Sequence, residues 1–131
     1  MSRLSLTARG AADPATVWLR YLEPARWSQW SPQITGVRYP IGELEAGRRG
    51  EVMGWLGLRL PFEVLAVDPM RRRWSWRVRL GPVAMLLEHE VDARTDLPGG
   101  TVTRLSVRGP LLLIAAYAPL ARLALHRLVQ P

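Results

Sequence analysis

The sequence predicts an α+β domain in which a curved antiparallel sheet of about seven strands is covered by one long C-terminal helix. Three observations carry this expectation. Seven short stretches read as strands, most of them alternating apolar and polar residues with a period of two, as half-buried strands do. Two short helices are punctuated by Asp-Pro, Glu-Pro and Ser-Pro pairs after the first of those strands. The last segment, residues 111–129, is apolar almost all round as far as Leu120, as a helix lying in a groove would be.

The first strand spans residues 3–9, with Leu4, Leu6 and Ala8 opposed to Arg3, Ser5, Thr7 and Arg9. Asp13-Pro14 opens a helix, since an aspartate side chain accepts orphan N–H groups and proline suits the first helical position. Val17, Trp18, Tyr21 and Leu22 give that helix its apolar face. Glu23-Pro24 ends it, and a second short helix over 24–30 stops at Ser31-Pro32. Strands follow at 33–39, 48–55 and 58–67. In the last of these Leu58, Leu60, Phe62 and Val64 share a face, whereas Leu65 and Val67 break the phase, so a bulge or twist is expected. Arg59 and Glu63 lie on one face of this strand and are expected to pair. Asp68-Pro69 makes a turn, which holds most of the Arg71-Arg72-Arg73 run.

The clearest alternation comes next. Over 73–80, Trp74, Trp76, Val78 and Leu80 point inward. Over 83–94, Met85, Leu87, His89 and Val91 oppose Leu86, Glu88, Glu90 and Asp92. Residues 97–100 form a hairpin, and over 101–108 Thr103, Leu105 and Val107 point inward. The sheet thus has one charged face and one apolar face that needs a cover. The terminal segment supplies it, with Pro119 expected to kink the helix and Arg122, His126 and Arg127 marking a wetter end.

Composition narrows the function classes. The chain has 131 residues, enough for a single domain over 1–131 with one core. A hydrophobic content of 48% with 22% charged residues is too apolar for intrinsic disorder. There is no cysteine, which excludes disulfides, thiolate metal sites and cysteine nucleophiles and is compatible with a reducing compartment. No apolar run of signal-peptide length opens the chain, and the apolar run over 110–121 is short of the ~20 residues of a spanning helix; a cytoplasmic location without stable membrane insertion is expected. All 18 basic residues are arginine and the net charge is +7. Because they are scattered, codon bias in a GC-rich genome accounts for them better than a site for nucleic acid or anionic membrane, and no nucleic-acid partner is expected. Two distant histidines make no metal cluster, and no P-loop, dinucleotide fingerprint or nucleophile elbow is present, so no metal or cofactor is expected.

Several motifs are similar to one family. They are Ala12-Asp13-Pro14-Ala15-Thr16-Val17-Trp18, then Glu23-Pro24-Ala25-Arg26-Trp27-Ser28-Gln29-Trp30-Ser31-Pro32, then Gly42-Glu43-Leu44-Glu45-Ala46-Gly47-Arg48-Arg49-Gly50. Val67-Asp68-Pro69 with Trp74 and Trp76, and His89 with the apolar terminal helix, complete the set. Together they resemble the START-like (SRPBCC) superfamily and, within it, the polyketide cyclase/dehydrase-like group. The resemblance implies a helix-grip fold with a cavity between sheet and C-terminal helix, and a lipid, polyketide or other aromatic or isoprenoid metabolite as ligand. It also implies that a minority role in cyclisation, aromatisation or dehydration is open.

His89 is the candidate catalytic residue, because flanking Glu88 and Glu90 must face water and so aim it inward, where an imidazole could move a proton. The alternative is a buried histidine bonded to its neighbours. Trp76, Met85, Phe62 and Leu105 point inward and are candidates for stacking on a flat ligand, or for plain core packing. Tyr39 and Tyr117 could offer hydroxyls, and Thr103 also faces in. Trp27 and Trp30 read as packing residues.

Overall fold

The computed structural model describes residues 2–40 and 42–131. Strand β1 (Ser2–Gly10) is followed by helix α1 (Pro14–Leu22), one 3-10 turn (Pro24–Arg26) and helix α2 (Trp27–Trp30). Six strands come next: β2 (Ile34–Arg38), β3 (Arg49–Gly54), β4 (Arg59–Asp68), β5 (Arg73–Leu80), β6 (Val83–Ala93) and β7 (Thr101–Gly109). Helix α3 (Leu111–Leu128) ends the chain. The strands form one antiparallel sheet in the order β1-β7-β6-β5-β4-β3-β2, so β1 closes onto β7 rather than onto β2. This is the predicted α+β architecture of the helix-grip type, with seven strands and the two short helices in the expected place.

Local chemistry accounts for the element ends. The Asp13 carboxylate accepts the Thr16 amide at 2.7 Å, and Pro14 occupies the first helical position. Val17, Trp18, Tyr21 and Leu22 are the buried face of α1. The Trp27 indole donates to the Tyr21 carbonyl at 2.9 Å, which pins the corner between α1 and α2 onto the sheet. The phase break in β4 is a register shift between Val64 and Ala66, so Leu65 is the extra residue of a bulge. Arg59 and Glu63 do not pair. Four residues along a strand span about 13 Å, and Glu63 instead faces Arg77 on the neighbouring strand, 4.0 Å away.

Helix α3 departs from expectation in its first half. Leu111, Leu112, Ala115 and Ala116 are exposed, whereas Ala121, Ala124, Leu125, Leu128 and Val129 are buried. Apolar composition alone does not distinguish the two halves, because what differs is whether the sheet lies close beneath. The C-terminal half is held tightly. Gly10 approaches so closely that a Cβ there would sit 2.1 Å from the Val129 carbonyl oxygen. That oxygen accepts the Ala12 amide at 3.1 Å. The Arg20 guanidinium donates to the carbonyls of Leu128 and Gln130 at 2.6 Å each, capping the negative end of the helix. Each fully buried leucine there contributes roughly 1.5–3 kcal/mol. In the N-terminal half only Ile114 is buried, and the exposed side of the helix overhangs the sheet.

Candidate ligand cavity

The space under the overhanging half of α3 is a cavity of about 410 Å³. Its floor is the concave face of β5, β6 and β7, including Trp74, Trp76, Met85, Leu87, His89 and Leu105. Val52, Leu58 and Leu60 form one side, and Trp27, Trp30, Ser31 and Gln33 the end wall. Leu113, Ala116, Tyr117, Leu120 and Ala121 form the roof. The volume lies in the range of small-molecule sites, roughly 300–1,000 Å³. Among the described residues, no arginine, aspartate or glutamate lines it.

Of the residues singled out in the sequence, Trp76, Met85, His89, Leu105 and Tyr117 meet on this wall. Tyr39, Phe62 and Thr103 do not line it. Tyr39 leaves the sheet after β2, and its hydroxyl bonds the Glu45 amide at 3.0 Å while its ring stacks on Phe62. Phe62 is fixed behind the wall by edge contact with Trp76 and a tilted contact with Trp27. Thr103 lies beneath Tyr21 and donates to the Glu90 carbonyl at 2.9 Å. Phe62 and Thr103 point inward but under the α1–α2 corner, where aromatic side chains already fill the space.

His89 is buried and saturated. Trp74, its direct partner across β5 and β6, stacks on its ring face with centroids 4.4 Å apart and planes 9° apart. The Trp76 indole, a donor only, gives its proton to Nε2 at 2.9 Å. Nε2 is therefore the acceptor, and the neutral ring carries its proton on Nδ1. Nδ1–H donates to the Tyr21 hydroxyl at 3.0 Å, Tyr21 donates onward to Thr103 at 3.4 Å, and Thr103 to the Glu90 carbonyl. Burial holds the imidazole pKa down at about 3. Both nitrogens are thus committed to protein partners, which runs against a proton shuttle at this position and matches the alternative of a bonded buried histidine. Tyr117, on the roof, is kept neutral as well, its phenol pushed up to about 12 by burial.

Three contributors were not singled out as ligand-site residues. Trp74 Nε1 and Gln33 Oε1 are buried without a protein partner among the described residues, and both residues line the cavity. Tyr21 anchors His89. Its place on the apolar face of α1 was legible, but the pairing of its hydroxyl depends on the docking angle of that helix. Trp27 and Trp30 pack as expected and also form part of the wall. Among the described residues, no three His, Cys, Asp or Glu side chains converge as metal ligands would.

A family model described as "Polyketide cyclase / dehydrase and lipid transport" matches residues 1–130. No curated protein sequence matches the chain significantly. Solved structures match across nearly the whole chain at low identity. The protein XoxI from Bacillus cereus superposes with a TM-score of 0.83 at 15% identity, over 98% of this chain and 94% of that one. A protein from Nitrosospira multiformis gives 0.79 at 16% identity, over 98% and 94%. The di-domain ARO/CYC BexL from the BE-7585A biosynthetic pathway gives 0.80 at 17% identity, over 98% of this chain and 45% of that one. At such identities the likeness establishes the fold.

Proposed function

We propose, from the premise that the chain belongs to the polyketide cyclase / dehydrase and lipid transport family of SRPBCC-type domains, that it is a single-domain carrier or sensor for an uncharged hydrophobic small molecule held between the sheet and α3. The observation that supports this reading most is the chemistry of the cavity wall. It is apolar, it carries no charged side chain, and its two titratable groups, His89 and Tyr117, are both held neutral near pH 7. Burying a few hundred Å² of ligand at roughly 25 cal/mol per Å² supplies the affinity. The Tyr117 hydroxyl is the polar group on the wall that would orient the ligand, and Trp74 Nε1 and Gln33 Oε1, covered and without a protein partner among the described residues, would join it on a small shift of the wall. Trp76, Met85 and Leu105 would contact its flat or greasy body. The absence of cysteine accords with a cytoplasmic place of action.

Native mass spectrometry of freshly purified protein tests this, followed by titration with lipids, isoprenoids and aromatic polyketides. A retained or titratable uncharged apolar ligand is the expected result. Uniformly empty protein with no response to the panel would refute it.

A second reading, a polyketide cyclase, aromatase or dehydratase, has the fold likeness to the di-domain ARO/CYC in its favour. An acid-base catalyst works with positioned proton-transfer groups, and the bonded His89 is poorly suited to that task. Turnover of a found substrate would favour this reading over a carrier, and His89→Gln tests its mechanism: loss of turnover with retained binding supports His89 as the proton shuttle, and unchanged turnover removes His89 from it.

A further inference from the structure

The end of the molecule at which the cavity opens has a surface that core packing does not explain. In an alternating antiparallel sheet, the β3–β4 and β5–β6 turns and the exit of β7 lie at one end. Each of these three tips displays large apolar side chains. Trp55 is 56% exposed and Leu56 fully exposed at the first, Leu80 and Val83 are exposed at the second, and Leu111 (65%) and Leu112 (84%) at the third. Trp55, Leu80 and the neighbouring Leu113 also line the cavity, so the tips surround its mouth.

Leu56 is the sharpest case. It holds a left-handed backbone conformation, φ 61°, that asparagine or glycine adopts far more cheaply than a leucine does. Its side chain touches no core that would offset this. Exposed apolar residues clustered at one place mark an interaction surface.

The charge distribution identifies the partner. Residues 52–62, 78–87 and 105–130, which form the three tips and α3, contain no aspartate or glutamate. Each tip is flanked by an arginine: Arg59, Arg79 and Arg108, with Arg3 opposite Arg108 in the register. Among the described residues none of these four joins an ion pair. Carboxylates gather at the other end, where β4 and β6 finish near Asp68 and Asp92.

We propose that this end docks reversibly on a bilayer containing anionic lipid. Trp55, Leu56, Leu111 and Leu112 enter the interfacial layer, Arg59, Arg79 and Arg108 sit at the level of the phosphates, and the cavity mouth opens toward the acyl chains. The ligand route rests on the cavity reading; the docking itself rests on the rim.

Flotation of the intact chain with phosphatidylcholine vesicles, with and without phosphatidylglycerol, is the test. Binding requires phosphatidylglycerol and weakens as salt rises, because each arginine near the surface adds about fivefold and is screened over about 10 Å at 0.1 M salt. Leu56→Asn and Leu112→Gln each lower binding about tenfold. Leu56→Asn suits the left-handed backbone, so its melting temperature is at least that of the parent and a folding defect is excluded. Neither residue lines the cavity, so uptake of an uncharged fluorescent apolar probe in vesicle-free solution stays unchanged in both.

Absent vesicle binding with intact probe uptake overturns the docking alone, as does binding indifferent to phosphatidylglycerol or to both substitutions. Absent probe uptake with intact vesicle binding overturns the cavity reading alone. A dimer in sedimentation velocity that Leu56→Asn dissociates assigns the rim to a second copy of the chain and overturns the membrane.

Discussion

The Trp76 indole N–H points at Nε2 of His89 from 2.9 Å, diagonally across β5 and β6, and this donor cannot coexist with a proton on that nitrogen. Protonating His89 therefore requires Trp76 to move away inside a packed aromatic cluster. The imidazole pKa is about 3 in the folded chain, against 6.5 for an ordinary histidine, with burial as the cause. The unfolded chain consequently takes up a proton between these values that the folded chain refuses. Stability from this source is present in full above about pH 6.5 and is lost as pH falls toward 3, amounting to a few kcal/mol at most. Urea unfolding at pH 7.5 and at pH 4.5 checks this against His89→Gln. The parent loses more stability than the variant over that interval; equal losses would mean the ring is not held neutral.

Tyr21 is the second support of the same ring. Tyr21→Phe leaves Nδ1–H without an acceptor and removes the donor to Thr103, which keeps its bond to the Glu90 carbonyl. An orphaned buried donor costs about 1–3 kcal/mol, which denaturant unfolding would register. Tyr21 does not line the cavity, so affinity for an apolar probe changes little. A large loss of probe affinity at unchanged stability would contradict this division of labour.

Much of this arrangement was readable in the residues. Alternation aimed Trp74, Trp76, Met85, His89 and Leu105 inward, and the phase break at Leu65 marked the bulge, because a period of two maps directly onto the two faces of a strand. What sat across from each inward residue was not readable. Pairing of Trp76 with His89 depends on register, and pairing of Tyr21 with His89 on how α1 lies over the sheet. Phe62 and Thr103 alternate inward as correctly as Trp76 does, yet the α1–α2 corner covers them, and Tyr39 lies beyond the end of β2. Nor does an apolar helix report which of its leucines lack cover, so Leu111 and Leu112 looked like Leu125 and Leu128.

Ala116 occupies the roof near the mouth, exposed on one side and lining the cavity on the other. Ala116→Phe places a phenyl ring in an opening that leads to about 410 Å³. Affinity for the apolar ligand falls about tenfold or more as ligand area is displaced. Stability changes by less than about 0.5 kcal/mol, as at other surface positions. Unchanged affinity by fluorescence titration would show that ligands are held elsewhere.

Gly10 carries the last prediction, because it decides whether α3 can stay clamped at one end while overhanging at the other. Its missing side chain lets β1 meet the Val129 backbone, and any Cβ would lie 2.1 Å from that carbonyl oxygen. The obstacle is backbone, so it cannot swing aside as a side-chain tip would. Relief requires the end of α3 to withdraw, which breaks the Ala12–Val129 bond and pulls the Leu128 and Gln130 carbonyls from Arg20. Gly10→Ala is therefore expected to cost more than about 2 kcal/mol, in the range of severe core substitutions. Arg20→Met removes only the cap and costs less, about 1–2 kcal/mol. Thermal melts of the two variants test the order. A Gly10→Ala protein that melts with the parent would mean the clamp has slack, and the cavity would then lack a rigid roof.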